Sequence, residues 1–182
     1  MPRLPVFVAA LLLAACTTLP VSTGLPAREA IRDFAIEARF ALTQDQQRHA
    51  GRLSWQHADQ RDALTVASPF GQTMAEILVV PGKARLETSD RQIHEAADAA
   101  SLTRDVLGYA LPIAALADWL LGRGGEVVRD EAGRPAYLSA AGWEIRYEYD
   151  EPGASALPAR LQATRVGGPD IRLRIEEWKA LP

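Results

Sequence analysis

The stretch Phe34-Ala35-Ile36-Glu37-Ala38-Arg39-Phe40-Ala41-Leu42 decides the fold. Phe34, Ile36, Ala38, Phe40 and Leu42 fall on one face, and Glu37 and Arg39 interrupt the other. A period of two over nine residues predicts a half-buried antiparallel strand. Reading outward, the polar residues 43–49 form a turn or loop, and Leu53, Trp55 and His57 share a face of the next strand. Asp59-Gln60-Arg61 reverses the chain before a third strand carrying Leu64 and Val66. Ser68-Pro69-Phe70-Gly71-Gln72 breaks that strand. Residues 74–80 resume it, with Met74, Glu76, Leu78 and Val80 on one side and Ile77 and Val79 on the other. After the Pro81-Gly82 turn, Ala84, Leu86 and Thr88 alternate with Lys83, Arg85 and Glu87, so the first half is a β-meander.

The middle of the chain changes period. Asp98 caps a helix over residues 99–107, where Leu102, Val106 and Leu107 make an apolar stripe that Gly108 stops. Pro112 suits the first turn of a second helix, in which Ile113, Leu116, Trp119 and Leu120 follow a 3.6-residue spacing up to Gly122. Gly122-Arg123-Gly124-Gly125 lacks the GK[ST] ending of a phosphate loop and follows a helix, so it reads as a hinge or linker. Strands return at Tyr137, 143–149, 161–166 and 171–178, separated by Asp130, Gly133, Glu151-Pro152-Gly153 and Gly167-Gly168-Pro169. The expectation is a mainly β domain of nine to eleven strands, interrupted once by two short helices.

Composition narrows the class. The chain has 182 residues, 48% of them hydrophobic and 24% charged, with a formal net charge of −3. One domain follows from the length, and the apolar share is too high for a disordered chain. No apolar run approaches the roughly 18 to 20 residues of a membrane-spanning helix, which excludes a polytopic membrane protein. With no basic excess, nucleic acid is not an expected partner.

The one cysteine is Cys16, so no disulfide within the chain and no multi-cysteine metal site is available. Met1-Pro2-Arg3, the apolar residues 4–13 and Leu13-Ala14-Ala15-Cys16 have the layout of a signal peptide that ends at a cysteine. The last four residues resemble the lipobox of bacterial lipoproteins, in which the signal is cut before the cysteine and the cysteine is acylated. Residues 1–15 are therefore expected to be removed, 16–26 to form a lipidated cysteine and flexible tether containing Pro20, Gly24 and Pro26, and 27–182 to form the domain. In lipoproteins of this kind Thr17, where Asp commonly signals inner-membrane retention, implies the outer membrane.

Catalytic chemistry is sparse. His57-Ala58-Asp59 is the closest pairing of a histidine with a carboxylate, and it reads as solvated turn residues rather than a metal site, which would need further ligands. No G-x-S-x-G elbow occurs, and the adjacent carboxylates Glu176-Glu177 and Asp150-Glu151 point to opposite faces of a strand. No catalytic residue, cofactor or metal is assigned. Phe34, Phe40, Trp55, Trp119, Trp143, Tyr147 and Trp178 either fill a core or surround a cavity, and composition leaves both readings open. Phe70, between the turn residues Pro69 and Gly71, is expected to project into solvent and mark a contact site.

In order along the chain, Ser68-Pro69-Phe70-Gly71, Asp118-Trp119-Leu120-Leu121-Gly122, Gly142-Trp143-Glu144-Ile145-Arg146-Tyr147, Leu157-Pro158 and Ile171-Arg172-Leu173-Arg174-Ile175-Glu176-Glu177-Trp178 carry a resemblance. From about Phe34 to Trp178 the chain resembles the LolB family of outer-membrane lipoprotein receptors. It departs at Gly122-Arg123-Gly124, where the family usually has Gly-x-Pro, and at Ala140, where Gln is expected. The resemblance implies an incomplete antiparallel β-barrel of about eleven strands enclosing an apolar cavity under a helical lid. It implies a protein, not an enzyme, that is lipid-anchored at the outer membrane and faces the periplasm. Such a protein takes acylated lipoproteins from a soluble periplasmic LolA-like carrier and inserts them into the inner leaflet without nucleotide hydrolysis. A monomer is expected. Cys16 would carry the lipid, and Pro69, Phe70 and Gly71 would form the membrane-insertion loop. Alternation and lid periodicity nominate Phe40, Trp55, Val66, Ile77, Trp119, Trp143, Ile145 and Leu173 as lining the cavity, which is expected to be wide and apolar. A structural outer-membrane lipoprotein that binds a protein partner is the competing reading, and it predicts a packed interior.

Overall fold

The computed structural model describes residues 26–181. Cys16, the signal and most of the tether lie outside them. After a 3₁₀ turn at Arg28–Ala30, six strands follow: β1 (Phe34–Gln44), β2 (Gln47–Ala58), β3 (Arg61–Ala67), β4 (Thr73–Val80), β5 (Lys83–Thr88) and β6 (Ile93–Ala96). Helices α1 (Ala99–Leu107) and α2 (Ile113–Leu120) come next. The chain closes with β7 (Glu126–Arg129), β8 (Pro135–Ala140), β9 (Trp143–Glu148), β10 (Arg160–Arg165) and β11 (Asp170–Ala180).

All strands belong to one antiparallel sheet in the order β6-β5-β4-β3-β2-β1-β11-β10-β9-β8-β7. Two meanders are thus joined where β1 pairs with β11, with Phe40 opposite Leu173. The edge strands β6 and β7 are not neighbours in this order, so the barrel stays open, and the chain crosses from one edge to the other as α1 and α2. No helix of the described residues is long and apolar enough to cross a membrane.

The deciding stretch behaves as its period requires. Phe34, Ile36, Ala38 and Leu42 are buried, while Glu37, Arg39 and Ala41 face outward. The register corrects one expectation: residues 43–49 are not a loop. β1 runs to Gln44, β2 begins at Gln47, and only Asp45 and Gln46 turn, with Asp45 at φ +53°. Beyond Leu42 both strands run out into solvent, so their ladder continues without the burial that would have imposed alternation on the side chains. The signals of the first helix hold to the residue, while α2 starts just after Pro112, its N-cap, and ends at Leu120, before Gly122. Asp98 accepts a hydrogen bond from the Ser101 N–H (2.7 Å), and Gly108 ends α1 in the left-handed region at φ +84°.

One cluster of buried side chains runs under the sheet. It includes Phe34, Trp55, Leu102, Trp119, Leu138, Trp143, Ile145 and Leu161. Phe34 packs edge-on against Trp55 and Trp178, at ring separations of 5.7 and 5.5 Å. Two buried hydroxyls fix the helices. Thr103 donates to the Ala99 carbonyl (2.8 Å) and accepts from the Leu111 N–H (2.8 Å), tying α1 to the segment before α2. Tyr147 donates to the Trp119 carbonyl (2.6 Å), tying the end of α2 to β9, and burial pushes its phenol pKa up.

Candidate functional site

Opposite faces of the sheet do different things. The inward face is apolar, and all eight residues nominated for a cavity lie on it or on the helix beneath it. Trp55, Trp119, Trp143, Ile145 and Leu173 are buried, and Phe40, Val66 and Ile77 are half-buried against the same cluster. Trp119 of α2 meets Trp143 of β9 at 5.9 Å between ring centres. In this conformation the interior holds its own side chains: the helices and the tryptophans occupy the space under the sheet. This corrects the expectation of a wide space. An apolar interior can exchange one apolar filling for another, because both remove similar area from water at about 0.8 kcal/mol per methylene.

The half-buried positions have an order. Phe40 pairs with Gly51, Leu53 with Val66, and Val66 with Ala75, which draws a row across four strands toward the end of the sheet that carries the β3–β4 loop. In that loop the Ser68 N–H donates to the Gln72 carbonyl (2.8 Å) and the Gly71 N–H to the Ser68 carbonyl (2.9 Å). Gly71 takes φ +88°, a conformation glycine adopts without strain. The closed turn holds Phe70 outward at 94% exposure, with Pro69 and Gly71 also exposed. A phenyl group held in water by a fixed turn contributes nothing to the core. Val166, in the β10–β11 turn at the same end, is equally exposed. Its signal was of the same kind as that of Phe70, an apolar residue beside turn glycines.

At the opposite end a hollow of about 670 Å³ lies between the β2–β3 and β4–β5 turns and the first residues of both helices, with His57, Asp62, Asp98 and Asp118 on its wall. His57 is not a solvated turn residue. It lies in β2, tilted against the Phe34 ring at 5.3 Å, and its partner is Asp62 at 2.7 Å, not Asp59. Asp62 is buried and also accepts from the Trp55 indole N–H (2.9 Å). The hydrogen bond to Asp62 raises the His57 pKa above its ordinary value, with Asp118 and Asp33 adding to it and burial opposing it. Sequence reading missed Asp62 because the pairing appears only once the two-residue turn Asp59-Gln60 sets the register. No group of three or more His, Cys, Asp or Glu side chains among the described residues is placed to hold a metal ion.

A second missed contact involves the linker after α2. The Arg123 guanidinium donates to the carbonyls of Arg28 (2.8 Å) and Glu29 (3.0 Å), so the 3₁₀ turn before β1 is fastened beside the end of α2. Gly122, at φ +71°, lets this linker approach β8, since a Cβ there would lie 2.3 Å from the Pro135 ring.

This architecture has known counterparts. A model of the family described as outer membrane lipoprotein LolB matches residues 32–178. An outer-membrane lipoprotein LolB of Dechloromonas aromatica (strain RCB) is 41% identical over 179 residues, covering 94% of each chain. One from Azoarcus sp. (strain BH72) is 38% identical over 180 residues, covering 96% of this chain and 93% of the relative. Among solved structures, a LolA superfamily protein from Nitrosomonas europaea superposes with a TM-score of 0.51 at 11% identity, covering 86% of this chain and 90% of its own, which is a likeness of fold. The family model spans most of the described domain and the relatives match over nearly their whole length, so the chain belongs to the outer membrane lipoprotein LolB family.

Proposed function

We propose that this domain, held at the outer membrane through lipid on Cys16, receives acylated lipoproteins from a soluble LolA-like carrier and releases them into the inner leaflet. The acyl chains take the inward face, displacing α1 and α2 from the apolar row through Phe40 and Val66 and from Ile77 beside it. The observation that carries this reading is the pairing of that row with an exposed Phe70 at the same end of the sheet. Cargo moves from one apolar shelter to the next and finally to the bilayer, so the sequence of steps runs downhill without bond chemistry, and no enzymatic activity is invoked. Modest differences in affinity between successive acceptors suffice, and a shelter with few fixed polar contacts releases its cargo readily. In the proposed division of labour Pro69, Phe70 and Gly71 touch the membrane, while Trp55, Trp119, Trp143, Ile145 and Leu173 surround the chains once the helices move.

The competing scaffold reading is favoured by one observation, the packed interior. A transfer experiment separates the two. A lipid-free form of the domain is mixed with carrier loaded with acylated cargo, and the cargo is followed by size and affinity separation. Movement of cargo to the folded domain supports the acceptor reading, and cargo that stays on the carrier favours the scaffold.

A further inference from the structure

The outward face of the sheet carries a feature that acyl-chain transfer does not use. Arg52 of β2 stands opposite Arg39 of β1, Arg39 opposite Arg174 of β11, and Arg174 opposite Arg160 of β10. Four arginines thus form one continuous row across four strands, about 15 Å long at the usual strand spacing. The row beside it adds Arg172 of β11 and Arg146 of β9. Like charges directly opposite on a sheet are destabilising, and a chain of net charge −3 has no general surplus of cations to account for them. Local violations of this kind mark functional surfaces.

Carboxylates offset only part of the charge. Arg39 pairs with Glu176 (2.7 Å), Arg160 with Glu148 (2.6 Å) and Asp150 (2.8 Å), and Arg172 with Asp170 (3.2 Å). Among the described residues Arg52, Arg146 and Arg174 make no ion pair. A hollow of about 380 Å³ opens between Arg39, Arg146, Arg160, Arg172 and Arg174, with Glu148 the single acidic residue on its wall. Guanidinium forks match phosphate oxygens in shape and charge.

We propose that this face docks on the phosphate groups of anionic phospholipid in the membrane that carries the anchor. The alternative of an acidic protein partner fits less well. Stable protein contacts are built around buried aromatic or aliphatic anchors, whereas the side chains between these arginines are Ala41, Ala50 and Gln162. Phe70 and Val166 stand at the rim, where a headgroup-bound sheet would press them toward the acyl region, and the exposed Tyr137 and Val128 continue the second row to the edge strand, with the Arg146 guanidinium 5.2 Å over the Tyr137 ring. Reach is no obstacle, since the ten residue steps from Cys16 to Pro26 span at most about 35 Å. The inference rests on the outer-membrane placement of the family and stands or falls independently of the transfer reading.

The test uses the mature lipidated chain with Ala41→Cys, a position between the two arginine rows, labelled with a fluorophore. The protein is reconstituted in vesicles of phosphatidylcholine alone or mixed with phosphatidylglycerol, each containing a headgroup-linked quencher. The label should be quenched in the anionic vesicles, and high salt should reverse it. In the Arg172→Gln/Arg174→Gln background, the equilibrium between docked and undocked should fall about fivefold for each guanidinium removed. Arg39→Gln with Arg52→Gln provides the same measurement if the first pair melts abnormally. Equal quenching in both vesicles, no change in either double variant, or quenching relieved by inorganic phosphate at far lower ionic strength than by sodium chloride, the mark of a site for free phosphate, overturns the proposal. So does protection of the label by soluble carrier in its place. Cargo transfer is scored in a separate reaction, so failure of docking and failure of transfer are read independently.

Discussion

His57 Nδ1 and Asp62 Oδ1 lie 2.7 Å apart on the inward side of the β2–β3 hairpin, facing the hollow at the start of both helices. The raised histidine pKa makes this contact pH-dependent. The folded protein holds the proton above the ordinary value of 6.5, so between that value and the raised one the native state binds more protons than the unfolded chain. Stability from the charged pair is therefore complete below about pH 6.5 and is lost as pH rises through the folded pKa. Denaturant melts across this window should show a decline with pH in the wild type and a flatter profile in His57→Gln. A wild-type profile as flat as that of the variant would contradict the assignment. Asp62→Ala should cost more at every pH, because it also strands the buried Trp55 indole N–H, a loss of about 1–3 kcal/mol.

Phe70→Glu should separate insertion from everything upstream of it. The ring is exposed and the turn that holds it is closed by Ser68, Gly71 and Gln72, so the substitution removes no buried contact. Stability should change by no more than about 0.5 kcal/mol, as for other surface substitutions. Uptake of cargo from carrier should remain near the wild-type rate while delivery to vesicles falls by an order of magnitude or more. A drop in melting temperature with insertion intact would mean that the ring serves the fold instead.

Much of this architecture could be read from the chain because its signals are local. Alternation in residues 34–42 depends on one buried face, and the caps Asp98 and Gly108 act within a turn of the helix they bound. What stayed hidden depends on pairings between distant strands. Nothing near Arg39 announces that Arg52, Arg174 and Arg160 will lie in its row, since each sits on a different strand and only the pairing registers bring them together. The four-residue edge strands β6 and β7 are too short to establish a period. The inward face was legible as apolar, but whether that face is filled depends on how the two helices seat, and no residue pattern encodes that. Phe70 was legible for the opposite reason: its neighbours Pro69 and Gly71 fix the turn without help from the rest of the fold.

Removing the Arg123 side chain should loosen the segment that joins the domain to its tether. The guanidinium supplies two hydrogen bonds to backbone carbonyls at Arg28 and Glu29, in a partly exposed position. Arg123→Ala should lower stability by about 1.5 kcal/mol, at the low end for bonds from a charged donor. Hydrogen exchange should accelerate at residues 28–31, with β1 unaffected. If exchange rises equally across the sheet, the contact is part of the global core and not a local fastening. The result bears on the proposed function because this fastening sits directly after α2, so a displacement of α2 and a change at residues 28–29 would act through one contact.

Gly51→Ala should damage the loop of Phe70 without touching it. Gly51 is buried on the inward face of β2, opposite Phe40, and a Cβ there would stand 2.2 Å from the Ala67 carbonyl oxygen and 3.0 Å from the Phe40 ring. The phenyl ring can yield a few tenths of an ångström, but the carbonyl is backbone. It belongs to the irregular step at Val66/Ala67 from which β3 leaves the sheet into residues 68–72. Accommodating a methyl group therefore means shifting the base of the loop or prising β2 from β3, at a cost of about 1–3 kcal/mol. Melting temperature and membrane delivery should fall together, in contrast to Phe70→Glu, where only delivery falls. A Gly51→Ala protein that melts with the wild type would show that the step relaxes freely, and the loop would then owe its position to Ser68 and Gln72 alone.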